Sequence, residues 1–254
     1  MTNRHDAQAH NELLATLSPS EFSQLRQQLK QVPLDQGDVL YDPGERTQYV
    51  YFPLAGMISL LSVMRDGKAV EIAAVGREGA LGVHCGIGML HSNSRAVVEI
   101  PGSSYRIPVG LFQKFVRDSE RMRDVMSRYS ELRLAQTQQW AACNALRGAE
   151  ARLSRSLLHT SDIIRSDVVP VTQEFLSQML GVRRTTVTGW RGSCCKPASS
   201  VTRVAGSRFA IASNCGNLPA SVMKLYSGCL PSLCARSDKS ASNKNGGEMI
   251  AAVF

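Results

Sequence analysis

The chain lacks the features that would place it in a membrane or carry it out of the cell. No run approaches the roughly 18 apolar residues needed to cross a bilayer, although hydrophobic residues make up 43% of its 254 positions. Its first residues, MTNRHDAQAHNELL, contain no apolar h-region, so no secretory signal is read there and a cytoplasmic protein is expected. Cysteine is missing from the first third. Cys85 and Cys143 stand alone, and Cys194, Cys195, Cys215, Cys229 and Cys234 crowd the end. None forms a C-x-x-C pair or a zinc spacing with histidine, so no metal site is expected. Catalytic signatures are missing too. There is no phosphate-cradling loop, nucleophile elbow or paired His/carboxylate metal motif, which argues against an enzyme. The lone His159, in LLHTSD, is read as a helix-end residue favoured by the helix dipole.

Excess positive charge is also missing where it would matter most. The net charge of +8 invites a nucleic-acid reading, but residues 1–188 carry 21 Lys and Arg against 19 Asp and Glu. Residues 189–254 carry 8 against 2. The basicity belongs to the last quarter and says nothing about the rest.

What is present divides into three regions. Residues 11–31 read as a short helix, with Ser18 or Ser20 as cap, Glu21 in the first turn and Phe22, Leu25 and Leu29 on one face. From residue 33, short apolar runs alternate with turn signals, through DVLYDPGE, RAVVEI and SSYRIPV. That pattern predicts a small antiparallel roll or sandwich, with Gly44, Gly56, Gly67 and Gly76 where strands reverse. A long helix follows over about 119–146. Met122, Val125, Tyr129, Leu132, Gln136, Gln139, Cys143 and Leu146 repeat at 3–4 spacing, as in a coiled-coil seam. Such a helix, about 40 Å long, would overhang a small roll, which predicts a homodimer seam. Gly148 breaks it, and AEARLSRSLLHTSD forms another amphipathic helix on Leu153, Leu157 and Leu158.

The most informative piece is TQEFLSQMLGVRRTTVT. Thr172 can cap a first helix, Glu174 suits its first turn, and Leu176 and Leu180 share a buried face. Gly181 fits a turn needing positive φ, with Val182 and Val187 as apolar anchors. This is a helix-turn-helix pattern. Arg183, Arg184, Thr185, Thr186 and Thr188 then point outward at the start of the second helix, where guanidinium forks, methyls and hydroxyls suit the major groove.

With GDVLYDPGE, the glycine-punctuated roll, the long helix, AEARLSRSLL and VTQEFLSQMLGVRRTTVT in this order, the chain resembles the Crp/Fnr family of bacterial transcription regulators across about residues 12–188. The resemblance implies an α+β fold: an N-terminal antiparallel β-roll (a cupin-like jelly roll), a long dimerisation helix and a C-terminal helix-turn-helix in an incomplete winged helix. The expected divisions are 12–118, a cyclic-nucleotide-binding-like sensory roll; 119–147, the dimerisation helix; 148–188, a truncated helix-turn-helix domain; and 189–254, an aberrant, disordered tail. It implies a homodimer on double-stranded DNA, controlled by a small-molecule effector that reorients the DNA-binding domains. It puts Arg184 at the family's base-contacting arginine, and Thr185 where glutamate is common. Thr172, Arg183, Arg184, Thr185, Thr186 and Thr188 are the expected DNA-binding residues.

The effector stays open. Cyclic-nucleotide binders present a Glu and an Arg to the ligand; here Leu81 and Ser94 stand at those positions, and Arg95 falls on the opposite strand face, which argues against cyclic AMP. The iron–sulfur branch uses an N-terminal cysteine cluster; this chain has no cysteine before Cys85, which argues against an iron-sulfur cluster. His84, Cys85 and His91 lack a ligand pattern and read as structural loop residues.

The resemblance stops at Thr188. GWRGSCCKPASSVTRVAGS cannot carry a helix far. Codons for this stretch can be chosen so that triplets starting one base earlier spell VAWQLLQAGQL, an amphipathic continuation, then GYAGGRIALRD, a hairpin. A net loss of one base, or gain of two, near the codon after Thr188 is therefore expected. Taken as it stands, the chain predicts a shortened recognition helix without a wing, and with it poor specific DNA affinity and salt-sensitive non-specific binding through the basic tail. The alternative to a DNA-binding regulator is a ligand-sensing protein that has lost specific DNA binding and acts through protein partners.

Overall fold

The computed structural model describes residues 11–166, 168–170, 172–182, 185, 201–205 and 208–211. The first helix, α1 (Pro19–Arg26), starts at a capping box: the Glu21 N–H donates to Ser18 Oγ at 3.3 Å and the Ser18 N–H to the Glu21 carboxylate at 3.1 Å. Ser18, not Ser20, is the cap. The helix is shorter than the span 11–31 suggested. A 3-10 turn, Leu14–Thr16, precedes it, and Pro33 forces the chain extended from Lys30 onward.

Five strands form the roll: β1 (Lys30–Leu34), β2 (Val39–Tyr41), β3 (Tyr49–Val63), β4 (Ala69–Val75) and β5 (Arg95–Pro108). All pairings are antiparallel, in the order β1–β5–β3–β4, with β2 also on β5. Gly56 does not reverse a strand as expected. It sits inside β3 at φ +86°, where the register against β5 shifts, and a Cβ there would lie 2.5 Å from the Ile100 carbonyl oxygen. Only glycine fits that bulge. The roll's core closes where Phe52 meets Phe112 edge to face at 6.1 Å, with Phe22 and Leu25 of α1 packed alongside.

Helix α2 (Val109–Asp118) leads into α3 (Glu120–Leu146), capped by Ser119 Oγ, which accepts the Met122 N–H at 3.0 Å. The expected seam along α3 is divided. Met122 and Tyr129 are buried in the chain's own roll, so the first half of the repeat serves an internal core. Beyond it, Gln139 donates to Cys143 Sγ at 3.3 Å, and Leu134 and Leu146 are 59% and 82% exposed.

Helix α4 (Ala149–Ile164) follows, then β6 (Val168–Pro170) and α5 (Gln173–Leu180). His159 is not at a helix end. It lies within α4, buried, with its ring edge-on to Trp140 at 5.4 Å, and burial together with Arg133 and Arg155 pushes its pKa down to about 3. A neutral ring gains nothing from a dipole. β7 (Val201–Ala205) and β8 (Arg208–Ile211) form an antiparallel hairpin whose second strand pairs with β6. Val201 and Thr202 on one side and Phe209 and Ile211 on the other are β-formers flanking Gly206, which explains why extended structure is found there. The fold is α+β: a roll, a long helix, and a module with the first helix and turn of a helix-turn-helix beside a three-stranded sheet.

Candidate nucleic-acid interface

The segment around α5 is built from its cap inward. Thr172 Oγ1 accepts the Phe175 N–H at 3.1 Å, and its carbonyl accepts Leu176 N–H at 3.1 Å, so α5 begins as the sequence proposes. Glu174 is exposed in the first turn, where a negative charge opposes the helix dipole. Phe175, Leu176, Met179 and Leu180 are buried in one cluster with Leu153 and Leu157 of α4. Half-buried Ser177 sends its hydroxyl to the Glu174 carbonyl at 2.8 Å, and its own carbonyl accepts the Val182 N–H at 3.0 Å. That last bond closes the turn around Gly181, whose φ is +62°.

Among the expected DNA contacts, Thr172 and Thr185 are exposed, and Thr185 is helical. Arg183, Arg184, Thr186 and Thr188 lie outside the described residues. The described part thus has one side sealed by apolar packing and the other presenting hydroxyls to solvent.

Leu81 is buried and ties its backbone to Tyr51 by bonds of 3.0 and 2.8 Å. Ser94 is held in a local turn with Ser92, and Arg95 is ion-paired with Asp42. Tyr129 Oη of α3 accepts the Ala80 N–H at 3.0 Å and donates to the Ala80 carbonyl at 3.1 Å. Gly79 leaves the room, since a Cβ there would stand 2.2 Å from that oxygen. The glycine turn is thus occupied by the chain's own side chain, a contact that spacing alone did not reveal. Cys85 is buried with its thiol pKa raised by burial, and burial lowers that of His84. Among the described residues no three His, Cys, Asp or Glu side chains group to hold a metal ion, and no helix is long and apolar enough to cross a membrane.

No protein-family model matches the chain, and no curated protein matches it. Solved structures do. The chain is similar to the c-di-GMP responsive global regulator CLP of Xanthomonas campestris, at 13% identity and TM-score 0.64, over 77% of this chain and 99% of that one. It is similar to FixK2 from Bradyrhizobium japonicum at 12% identity and TM-score 0.63, over 84% and 99%. A CRP/FNR-family transcriptional regulator from Thermus thermophilus matches at 18% identity and TM-score 0.56, over 77% and 97%. At such identities the likeness is one of fold, and the fold is that of the Crp/Fnr transcription regulators.

Proposed function

We propose that this chain is a DNA-binding transcription regulator of the Crp/Fnr kind, working in the cytoplasm as a homodimer whose roll governs the DNA-binding modules. Three segments are proposed to divide the work: 12–118 as the sensory roll, 119–147 as the dimerisation helix and 148–188 as the DNA-reading part. One observation carries the reading. The Gly181 turn seals the Leu176 and Leu180 face while leaving Thr172 and Thr185 in solvent, within a fold shared with such regulators. Arg183 and Arg184 follow directly in sequence and would supply the forks for base edges and phosphates, with Thr186 and Thr188 beside them.

Duplexes selected from a randomised pool by the purified protein test this. With the frame restored after Thr188, a sequence-selective complex at physiological salt is expected, its affinity falling as salt rises by a log–log slope of about −0.9 per phosphate contacted, whereas the chain as it stands should bind duplex weakly and with little selectivity. A pool that the frame-restored chain leaves unselected, or retains only at low salt, rejects DNA reading. It would favour the second reading, a ligand-sensing protein acting through protein partners. The specific support for that reading is GWRGSCCKP, which breaks the helical pattern directly after Thr188.

A further inference from the structure

We infer that the outer face of the roll is a seat that positions the helix-turn-helix, and that Gly76, far along the chain from any DNA contact, is a positioning residue within it. The proposal rests on the DNA-reading assignment for its purpose, but not for its geometry. Met57, Ala74 and Ile100 of the roll are buried in the same core cluster as Leu157, Ile163 and Leu176 of the α4–α5 module. Roll and module therefore share one apolar core.

The closest approach is at the end of β4. A Cβ on Gly76 would stand 2.3 Å from Ile163 Cγ2, inside any real contact distance. The φ of Gly76 is not in the left-handed region, so the backbone does not require glycine there. The neighbouring helix does. Strand β4 is gripped from both sides. Its Ala74 carbonyl accepts Arg133 Nη1 of α3 at 2.9 Å, while Val70 is the nearest neighbour of the Gly181 turn, 3.6 Å from where its Cβ would be. A rim of charge adds direction. Glu12, fixed to the roll by its N–H to the Arg77 carbonyl at 2.8 Å, faces Arg77 at 3.6 Å and pairs with Arg165 at the end of α4. These pairs are partly exposed, so the apolar contact dominates.

Docking in this way leaves Thr172, Glu174 and Thr185 in solvent. The seat holds the module without covering its reading side. Because α3 and α5 both rest on β4, the strand sets where the reading helix lies relative to the dimer helix, and hence the half-site spacing the dimer accepts.

The test is a compensating pair, read by amide hydrogen exchange in the full chain. Gly76→Ala drives a methyl into Ile163, and such overpacking should speed exchange at Phe175–Leu180 about tenfold. Exchange at Val50–Phe52, in the roll core, should not change. The same Cβ would lie 2.8 Å from Glu78 Oε2, the end of a flexible side chain that can shift aside; adding Ile163→Ala removes the clash with the helix, and exchange should return to within about threefold of the parent. Unchanged α5 exchange in Gly76→Ala overturns the seat. If roll amides accelerate as well, the double variant decides: recovery of both sets supports the seat, and failure to recover overturns it. The random duplex pool provides the second arm. Selective DNA binding with α5 indifferent to Gly76→Ala sinks the seat alone. Compensation at Gly76 and Ile163 with no duplex selected even by the frame-restored chain leaves the seat standing and removes the DNA-reading assignment.

Discussion

At the scale of single residues, the buried ionisable groups define how stability must respond to pH. Glu71 is 2% exposed, and Ser59 Oγ donates to it at 2.7 Å. Burial pushes its pKa up to about 8, helped by the Glu99 charge and opposed by the Ser59 hydrogen bond, Arg155 and Arg133. Glu99 is raised by burial to about 7. His159 moves the other way, to about 3. Between about pH 3 and 6.5 the unfolded chain holds a proton that native His159 refuses, so that residue makes stability rise with pH. From 4.5 upward the native state holds carboxyl protons that the unfolded chain has lost, so Glu99 makes stability fall to about pH 7 and Glu71 to about pH 8. Above pH 7 the His159 titration is complete and that of Glu99 is past its midpoint, so Glu71 contributes the larger part of the slope up to about pH 8. The urea midpoint should therefore decline from pH 7 to 8 in the parent and decline distinctly less in Glu71→Gln; equal slopes in the two contradict this account. Tyr129→Phe supplies a second check. It removes both bonds to Ala80 and leaves that buried N–H unmet, at a cost of about 1–3 kcal/mol, visible as a lower melting temperature.

At the scale of elements, some of the structure was legible because its causes are local, and the rest was hidden because they are not. Ser18 with Glu21, Thr172 before α5 and Gly181 after it are readable since a cap or a turn needs only neighbours in sequence. Thr172→Ala should accordingly cost about 1 kcal/mol, measured by denaturant titration. Gly56 misled because a glycine between apolar residues signals a bulge as readily as a reversal, and only the partner strand decides. The repeat on α3 was half legible for a related reason. A 3–4 apolar spacing marks one face of a helix without saying what covers it, and Met122 and Tyr129 face the roll. The part of α3 left for a partner is its second half. If α3 dimerises the protein, Leu134→Lys, at an exposed apolar position, should shift light scattering from two chains toward one, whereas loss of secondary structure without a change in mass speaks against a seam there.

At the scale of the whole molecule, the contact between β4 and the α4–α5 module was invisible in the sequence, because periodicity describes one element at a time. Gly76 looked like a turn residue, and its reason for being small is Ile163, far along the chain. The same contrast bears on the end of the chain. β7 and β8 fall at the codons that, one base earlier, spell GYAGGRIALRD, so both frames place β-favouring residues around a glycine. The hairpin therefore does not discriminate between the frames. The stretch from Gly189 to Pro197 does, because only the earlier frame gives a helix former at each turn where this one has glycine, paired cysteines and proline. A regulator that must fill the major groove needs that helix, and local choices that contradict a fold weigh against a sequence. Resequencing the gene across the Thr188 codon should thus reveal one base missing or two added, and restoring the frame should strengthen selective duplex binding at physiological salt at least about tenfold, one further base contact being worth about 1–3 kcal/mol. An uninterrupted frame encoding this same tail in independent isolates, joined to unimproved binding by the restored chain, would mean that the Gly189–Pro197 stretch is native and that the reading helix ends where the resemblance does.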